Sequence, residues 1–73
     1  MYSKGQFIAI KSPPYYEKEY IYQISAAGEK QIKAELYKSP KVRKSWSVKE
    51  FSLLIKMDVI RFLDEKESAK LLA

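Results

Sequence analysis

The chain is 73 residues long, carries a formal net charge of +5, and contains neither cysteine nor histidine. Its length allows one domain, residues 1–73, and a domain of that size is marginally stable unless disulfides, a metal or self-association reinforce it. Because both residue types are missing, disulfides and the common zinc sites are excluded, and we expect the chain to form a homodimer.

The N-terminal third predicts an antiparallel β-hairpin. Residues 6–11 alternate so that both faces of a strand can be partly covered, and residues 19–25 are rich in alternating aromatic and β-branched side chains. Two prolines interrupt the chain between these strands, so residues 12–18 are expected to form a long connection that protrudes. Tyr15 and Tyr16 in this connection are predicted interface residues, because tyrosine offers a large amphipathic contact area.

Residues 26–38 fit two different structures. Ile32, Ala34 and Leu36 alternate with polar residues, as in a third strand with one solvated face. The same segment is rich in Ala, Glu, Lys, Gln and Leu, which favour a helix, and Ser25 could cap that helix. The sequence leaves both alternatives open and slightly favours the helix.

A capping box predicts a helix that begins at Val48. The box consists of Ser47 and Glu50, whose side chains can each bond the other residue's amide. If the helix continues to residue 62, one face carries an ordinary core stripe, formed by Val48, Phe51, Ile55, Val59 and Phe62. The alternative is a break near Asp58, after which residues 59–63 form a strand.

The opposite face of a continuous helix would carry a second apolar group, Leu53, Met57 and Ile60. A helix with two apolar faces either lies in the centre of the core or is shared with another chain, so these three residues are predicted dimer contacts. A break near Asp58 would remove this face. The tail, residues 65–73, is compatible with a short helix that frays unless it is docked. The predicted fold class is therefore α+β: an N-terminal antiparallel hairpin, with or without a third strand, packed on a C-terminal amphipathic helix.

The positive charge is concentrated in the middle of the chain. Residues 30–49 contain seven Lys or Arg and one Glu, which gives this segment alone a charge of +6. Cations neutralise phosphates and aromatic rings stack on unpaired bases, so the segment predicts a nucleic-acid site. Its candidate residues are Lys30, Lys33, Tyr37, Lys38, Lys41, Arg43, Lys44 and Trp46. The alternatives are a solubilising surface for the charges and, for Trp46, packing on Phe51 as a hydrophobic staple.

Catalysis is not expected, because the usual general base and the strongest nucleophile are both missing. The acidic residues Asp58, Asp64, Glu65 and Glu67 match no metal-loop spacing, so no metal or cofactor is predicted. The longest apolar run near the N-terminus, residues 7–10, is too short for a membrane span or a signal peptide. We therefore expect a cytoplasmic protein with no membrane partner.

Two kinds of partner fit these features. The first is nucleic acid, which the protein would bind as an accessory or regulatory factor. Twelve lysines against two arginines predict weak sequence specificity, because arginine is the residue that reads bases bidentately. The same bias fits the AT-rich genome of a phage or mobile element. The second is an acidic protein surface, on which the chain would act as an inhibitor or adaptor. A third interpretation of the protein is a purely structural subunit of an oligomer.

Overall fold

The computed structural model describes residues 2–12 and 15–72, and it describes only the backbone of residues 12, 15–17 and 72. The chain forms one antiparallel sheet with strand order β4-β3-β2-β1-β5 and two short helices. Its elements are β1 (Phe7–Ser12), β2 (Tyr15–Ala27), β3 (Gln31–Leu36), β4 (Ser39–Ser47), α1 (Val48–Lys56), β5 (Ile60–Phe62) and α2 (Glu65–Leu72). In the described part of the chain, neither helix is long and apolar enough to cross a membrane.

The main core lies between the sheet and α1. Alternate residues of the four strands β1, β2, β3 and β5 point towards the helix, which inserts the fully buried ring of Phe51 among them. Tyr2, Trp46 and Phe62 surround this ring, with centroid distances of 4.8, 5.3 and 6.2 Å. Burial of one phenylalanine stabilises a fold by about 1.5–3 kcal/mol, so Phe51 anchors α1 to the sheet.

The opposite face of the sheet is partly covered by α2. Phe7 and Ala9 on β1 point to this face and are buried. The ring of Tyr37 packs edge-on against Phe7 at 5.4 Å, and its hydroxyl donates a hydrogen bond of 2.7 Å to the carbonyl of Leu71. The sheet is therefore covered on both sides at β1, while towards β4 this second face stays open.

The predicted class, α+β with an N-terminal antiparallel hairpin, is confirmed in this coarse form. The sheet, however, has five strands where two or three were expected, and the helix that packs on it spans nine residues. The prediction of a long connection over residues 12–18 is wrong. Ser12 pairs with Tyr15, so β2 begins at Tyr15 and extends the hairpin almost to its turn. Residues 13 and 14 lie outside the described part of the chain.

The preference for a helix over residues 26–38 is also wrong. Ala27 ends β2, and residues 31–36 form β3, which pairs with β2 on one side and β4 on the other. Ile32 and Ala34 are buried on the α1 side of the sheet. The alternation of apolar residues therefore outweighed helix propensity, because two neighbouring strands satisfy the backbone of β3 and bury its apolar face.

Strand β4 occupies residues to which the sequence pattern had assigned no element. Among the described residues it pairs with β3 alone and forms one edge of the sheet. Its register shifts between Ser39 and Arg43, since Glu35 faces Arg43 while Leu36 faces Ser39. Pro40 lies in this irregular stretch, where an edge strand tolerates a residue that lacks an amide hydrogen.

Helix α1 begins at Val48, as predicted, and its capping box is confirmed. The hydroxyl oxygen of Ser47 accepts a hydrogen bond of 3.1 Å from the amide of Glu50. The Glu50 carboxylate in turn accepts one of 3.3 Å from the amide of Ser47. Trp46 precedes the cap and packs on Phe51, so the hydrophobic staple is confirmed as well.

The helix ends at Lys56, so of the two alternatives the break near Asp58 is confirmed. Asp58 adopts a left-handed conformation with φ of 61°. Its amide donates to the carbonyl of Ile55, and the amide of Val59 donates to that of Leu54, which is the Schellman pattern of a helix end. The chain then reverses into β5, which pairs with β1.

Helix α2 begins with a second reciprocal cap, which the sequence analysis missed. The amide of Glu67 donates to the Asp64 carboxylate at 2.8 Å, and the amide of Asp64 donates to the Glu67 carboxylate at 3.3 Å. Aspartate followed three residues later by glutamate was the available signal.

Candidate nucleic-acid interface

The candidate cations lie together on one supersecondary unit at the edge of the sheet. Strands β3 and β4 and the turn between them form a hairpin that we call the cationic hairpin, residues 30–47. It carries six of the fourteen Lys and Arg residues of the chain. These six are Lys30, Lys33, Lys38, Lys41, Arg43 and Lys44, and all are exposed. The structure thus brings the predicted cations onto one continuous element.

The six cations differ from two others in lacking acidic partners. Lys11 approaches Asp58 at 3.5 Å, and Arg61 bonds two glutamates. Within residues 2–12 and 15–72, no salt bridge joins any cation of the cationic hairpin to a carboxylate. Glu35 faces Arg43 across the strands but is not within ion-pair distance. Their positive charge is therefore available to an external anion.

The register distributes these cations over both sides of the sheet. Lys33 faces Ser45 and Arg43 faces Glu35, and these pairs point away from α1. Lys44 faces the buried Ala34 and so lies on the α1 side. Lys38 is in the turn and Lys41 is in the irregular stretch of β4. The positive potential therefore surrounds the edge of the sheet instead of covering one flat face.

A shallow depression lies on the open face of the sheet, where β2 bulges at Ser25 beside β3 and β4. Its volume is about 250 Å³. Six of its seven lining residues carry hydroxyl, cationic or carboxylate groups; the lining consists of Ser25, Lys33, Ala34, Glu35, Arg43, Lys44 and Ser45. We call this region the polar depression. The side chains of Lys33 and Arg43 lie on this face together with the carboxylate of Glu35. The donors of the polar depression are of the kinds that bind phosphate.

The two aromatic residues predicted to stack on bases are engaged inside the protein. Trp46 is half-buried against Phe51 in the main core. Tyr37 packs on Phe7 and uses its hydroxyl to hold α2. Both rings therefore serve the fold, although they lie within the cationic hairpin.

An exposed aromatic residue that the sequence analysis did not propose for this site lies next to the cationic hairpin. Tyr20 on β2 is exposed and, with Lys38, lines a cavity of about 330 Å³ beyond the turn. By register it shares the α1 side of the sheet with Ile10, so the polar depression is on the other side. Only the pairing of β2 with β3 shows that Tyr20 adjoins the cations.

Of the three predicted dimer contacts, two are exposed and the third is buried. Leu53 and Met57 remain on the outer side of α1, with 56% and 61% of their surface exposed. Ile60 is instead in β5 at 1% exposed, because the helix has ended before it, so it is not available to a partner. The side chains of Tyr15 and Tyr16 lie outside the described residues.

A second polar cluster lies away from the cationic hairpin and connects three elements. The guanidinium of Arg61 on β5 bonds Glu19 on β2 at 2.7 and 3.0 Å and Glu67 on α2 at 2.8 and 2.9 Å. Hydrogen bonds from Arg61 lower the pKa of both carboxyl groups, and the carboxylates raise the pKa of Arg61. With one cation and two carboxylates this cluster has a net charge of −1, so it attaches α2 to the sheet and is not a site for an anion.

No protein-family model, curated protein or solved structure matches this chain in comparisons with known proteins. A function must therefore be inferred from its own residues and their arrangement.

Proposed function

We propose that the protein is a non-catalytic nucleic-acid-binding accessory protein with weak sequence specificity. The observation that carries the proposal is the set of six exposed cations on the cationic hairpin, none of which forms a salt bridge within residues 2–12 and 15–72. Phosphate neutralisation by Lys and Arg supplies most of the affinity of weakly specific nucleic-acid binders.

The arrangement of these cations supports contact with an extended polyanion. They lie on the two strands of a hairpin, its turn and the residue before it, so several phosphates along one backbone can be contacted together. The protein carries five lysines and one arginine at these positions. Lysine acts as a point charge on phosphate, so sequence discrimination is expected to be weak.

Charge reversal tests this proposal directly. The double variant Lys41→Glu, Arg43→Glu changes two exposed residues of β4 and lowers the net charge from +5 to +1. The matched control, Lys56→Glu with Lys66→Glu, makes the same change in net charge on the two helices. Fluorescence anisotropy at low salt, with labelled mixed-sequence DNA and RNA, is expected to show binding that the β4 variant loses and the control largely retains.

Two results would contradict the proposal. One is the absence of binding to every nucleic acid at low salt by the wild-type protein. The other is an equal loss of affinity in both charge-reversed variants, because net charge alone would then explain the binding. Circular dichroism of each variant verifies that the fold is intact.

A second candidate function is binding to an acidic protein segment. Strand β4 is an edge strand that pairs with β3 alone, and Val42 on it is an exposed apolar residue. An extended acidic peptide could add to this edge through backbone hydrogen bonds. A pull-down from nuclease-treated cell extract separates the two functions. This candidate is supported if the wild type retains a protein partner that the β4 charge-reversed variant loses. The first function is supported if nuclease treatment removes the partner.

A further inference from the structure

We propose that the polar depression holds backbone phosphates of a double-stranded nucleic acid, and that binding does not use base stacking. This inference rests on the proposed function and specifies the form of nucleic acid that the site takes. It follows from two independent observations, namely which groups line the depression and where the nearby aromatic rings are.

The polar depression offers the groups that a phosphate requires. Lys33 and Arg43 lie on the same side of adjacent strands, two register positions apart, so their long side chains can converge on one anion. The guanidinium of Arg43 can bond two phosphate oxygens at once. The hydroxyls of Ser25 and Ser45 add neutral donors at the rim. This face of the sheet is open at the exposed Lys33 and Arg43. Helix α2 instead bonds Arg61 on β5 and Tyr37 in the turn of the hairpin.

Single-strand binding needs aromatic rings that face the solvent, and the cationic hairpin supplies none of them among its described residues. Trp46 is packed on Phe51, and Tyr37 is fixed between Phe7 and Leu71. Stacking contributes much of the affinity of single-strand binders, about 1–3 kcal/mol for each base. The exposed ring of Tyr20 points to the other side of the sheet from the polar depression. A duplex, whose bases are already stacked, requires no such rings.

Glu35 places one carboxylate within the polar depression. It forms no salt bridge with Arg43, its cross-strand partner. A phosphate seated beside Arg43 would therefore experience repulsion from Glu35. Removing that charge is expected to strengthen binding, which is an unusual outcome for a substitution within a binding site.

The first experiment compares a mixed-sequence duplex with its separate single strands, at equal length and low salt. The wild-type protein is expected to bind the duplex more tightly. Trp46, the only tryptophan, reports directly on stacking through its fluorescence. Its emission is expected to stay unchanged when the duplex saturates the protein. Tyr20→Ala is expected to leave duplex affinity unchanged.

The second experiment uses variants of the polar depression. Glu35→Gln is expected to raise duplex affinity, while Arg43→Gln and Lys33→Gln each reduce it. Each loss of a phosphate contact is expected to reduce the slope of log affinity against log salt by about 1. Lys56→Gln on α1 is the matched control, because it removes one exposed charge elsewhere and should leave this slope unchanged.

The outcomes separate this inference from the function on which it rests. Equal or tighter binding of single strands, quenching of Trp46, or a loss of affinity in Tyr20→Ala would overturn duplex recognition while leaving nucleic-acid binding intact. Unchanged or weaker duplex binding by Glu35→Gln would overturn the placement of phosphate in the polar depression. Failure to bind any nucleic acid would overturn the proposed function itself.

Discussion

Asp58 is the residue on which the change from helix to strand depends. It occupies the left-handed position after α1, with φ of 61°, and this conformation strains most residues that have a side chain. Its negative charge also lies at the carboxyl end of a helix, where the helix dipole is unfavourable to an anion. The salt bridge with Lys11 compensates little, since Asp58 is 80% exposed.

Asp58→Gly is therefore expected to stabilise the protein by about 0.5–1 kcal/mol, because glycine adopts this conformation without strain. Asp58→Ala removes the same charge and salt bridge but keeps a Cβ, so it is expected to be less stable than the glycine variant. Urea unfolding followed by circular dichroism measures both free energies of unfolding. An alanine variant as stable as the glycine variant would show that charge, and not backbone conformation, determines the effect.

Arg61 makes stability depend on pH through its two carboxylate partners. Hydrogen bonds from Arg61 hold the pKa of Glu19 and of Glu67 below the ordinary value of 4.5. A carboxyl with a lowered pKa in the folded state stabilises the fold above its unfolded pKa, and this stabilisation is lost as pH falls through the folded pKa. The urea midpoint of the wild type is expected to be constant near neutral pH and to fall below about pH 4.5.

Arg61→Met retains much of the side chain's length and removes the charge, so it isolates this dependence. The variant is expected to have a lower urea midpoint at neutral pH and a flatter fall in acid, because both glutamates lose the largest cause of their lowered pKa. Lys66→Met, an exposed change on α2, is the control and should retain most of the wild-type profile. Parallel profiles for Arg61→Met and the wild type would assign the acid sensitivity to other carboxyl groups.

At the scale of elements, α2 depends on its contacts with the sheet for stability. It has eight residues, and isolated helices shorter than about 12–15 residues are marginal in water. The hydrogen bond from Tyr37 to Leu71 holds the end of α2. The ion pair between Arg61 and Glu67 holds its beginning. Tyr37→Phe keeps the ring on Phe7 and removes only the hydroxyl donor.

In Tyr37→Phe, the amides of α2 are expected to exchange with solvent about 5-fold faster, which corresponds to a lost hydrogen bond of about 1 kcal/mol. The amides of β1 and β2 are expected to keep their protection. Hydrogen exchange measured by NMR resolves the two groups. Uniform acceleration throughout the protein would instead show that α2 unfolds only together with the sheet.

The elements differ in how far their local sequence determines them. The start of α1 was predictable, because the capping box and the staple of Trp46 on Phe51 involve residues at most five positions apart. Strand β3 was not, since its composition favours a helix and its pairing with β2 and β4 decides its structure. Strand β4 carries a proline and many charges, which an edge strand tolerates and which otherwise indicate a loop.

The candidate site could likewise be predicted from the sequence only in part. Its cations could be found from the sequence, because their clustering along the chain survives folding into a single hairpin. The roles of its tyrosines could not. Tyr37 bonds a residue 34 positions away, and Tyr20 becomes a neighbour of Lys38 only through strand pairing. Contacts between distant residues thus engage the two rings that were expected to stack on bases, although the candidate cations stay together on one hairpin.

For the whole molecule, self-association remains a prediction, based on small size and on the exposed side of α1. Leu53 and Met57 lie one helical turn apart and form an apolar strip there. A contact between two copies through this strip would make stability depend on concentration, because dimerisation favours the folded state by mass action. The wild-type melting temperature is therefore expected to rise with protein concentration, and sedimentation equilibrium is expected to give the mass of a dimer.

Leu53→Glu places a charge at the centre of this strip and is expected to yield a monomer whose melting temperature no longer depends on concentration. Val42→Glu is the matched control, because Val42 is an exposed apolar residue on β4, away from α1. If the control alone becomes monomeric, the copies associate through the edge of the sheet. That edge also carries the cationic hairpin, so nucleic acid and a second copy would then compete for it. A wild-type protein that is monomeric at every concentration would contradict the predicted dimer and leave the cationic hairpin to act as a single site.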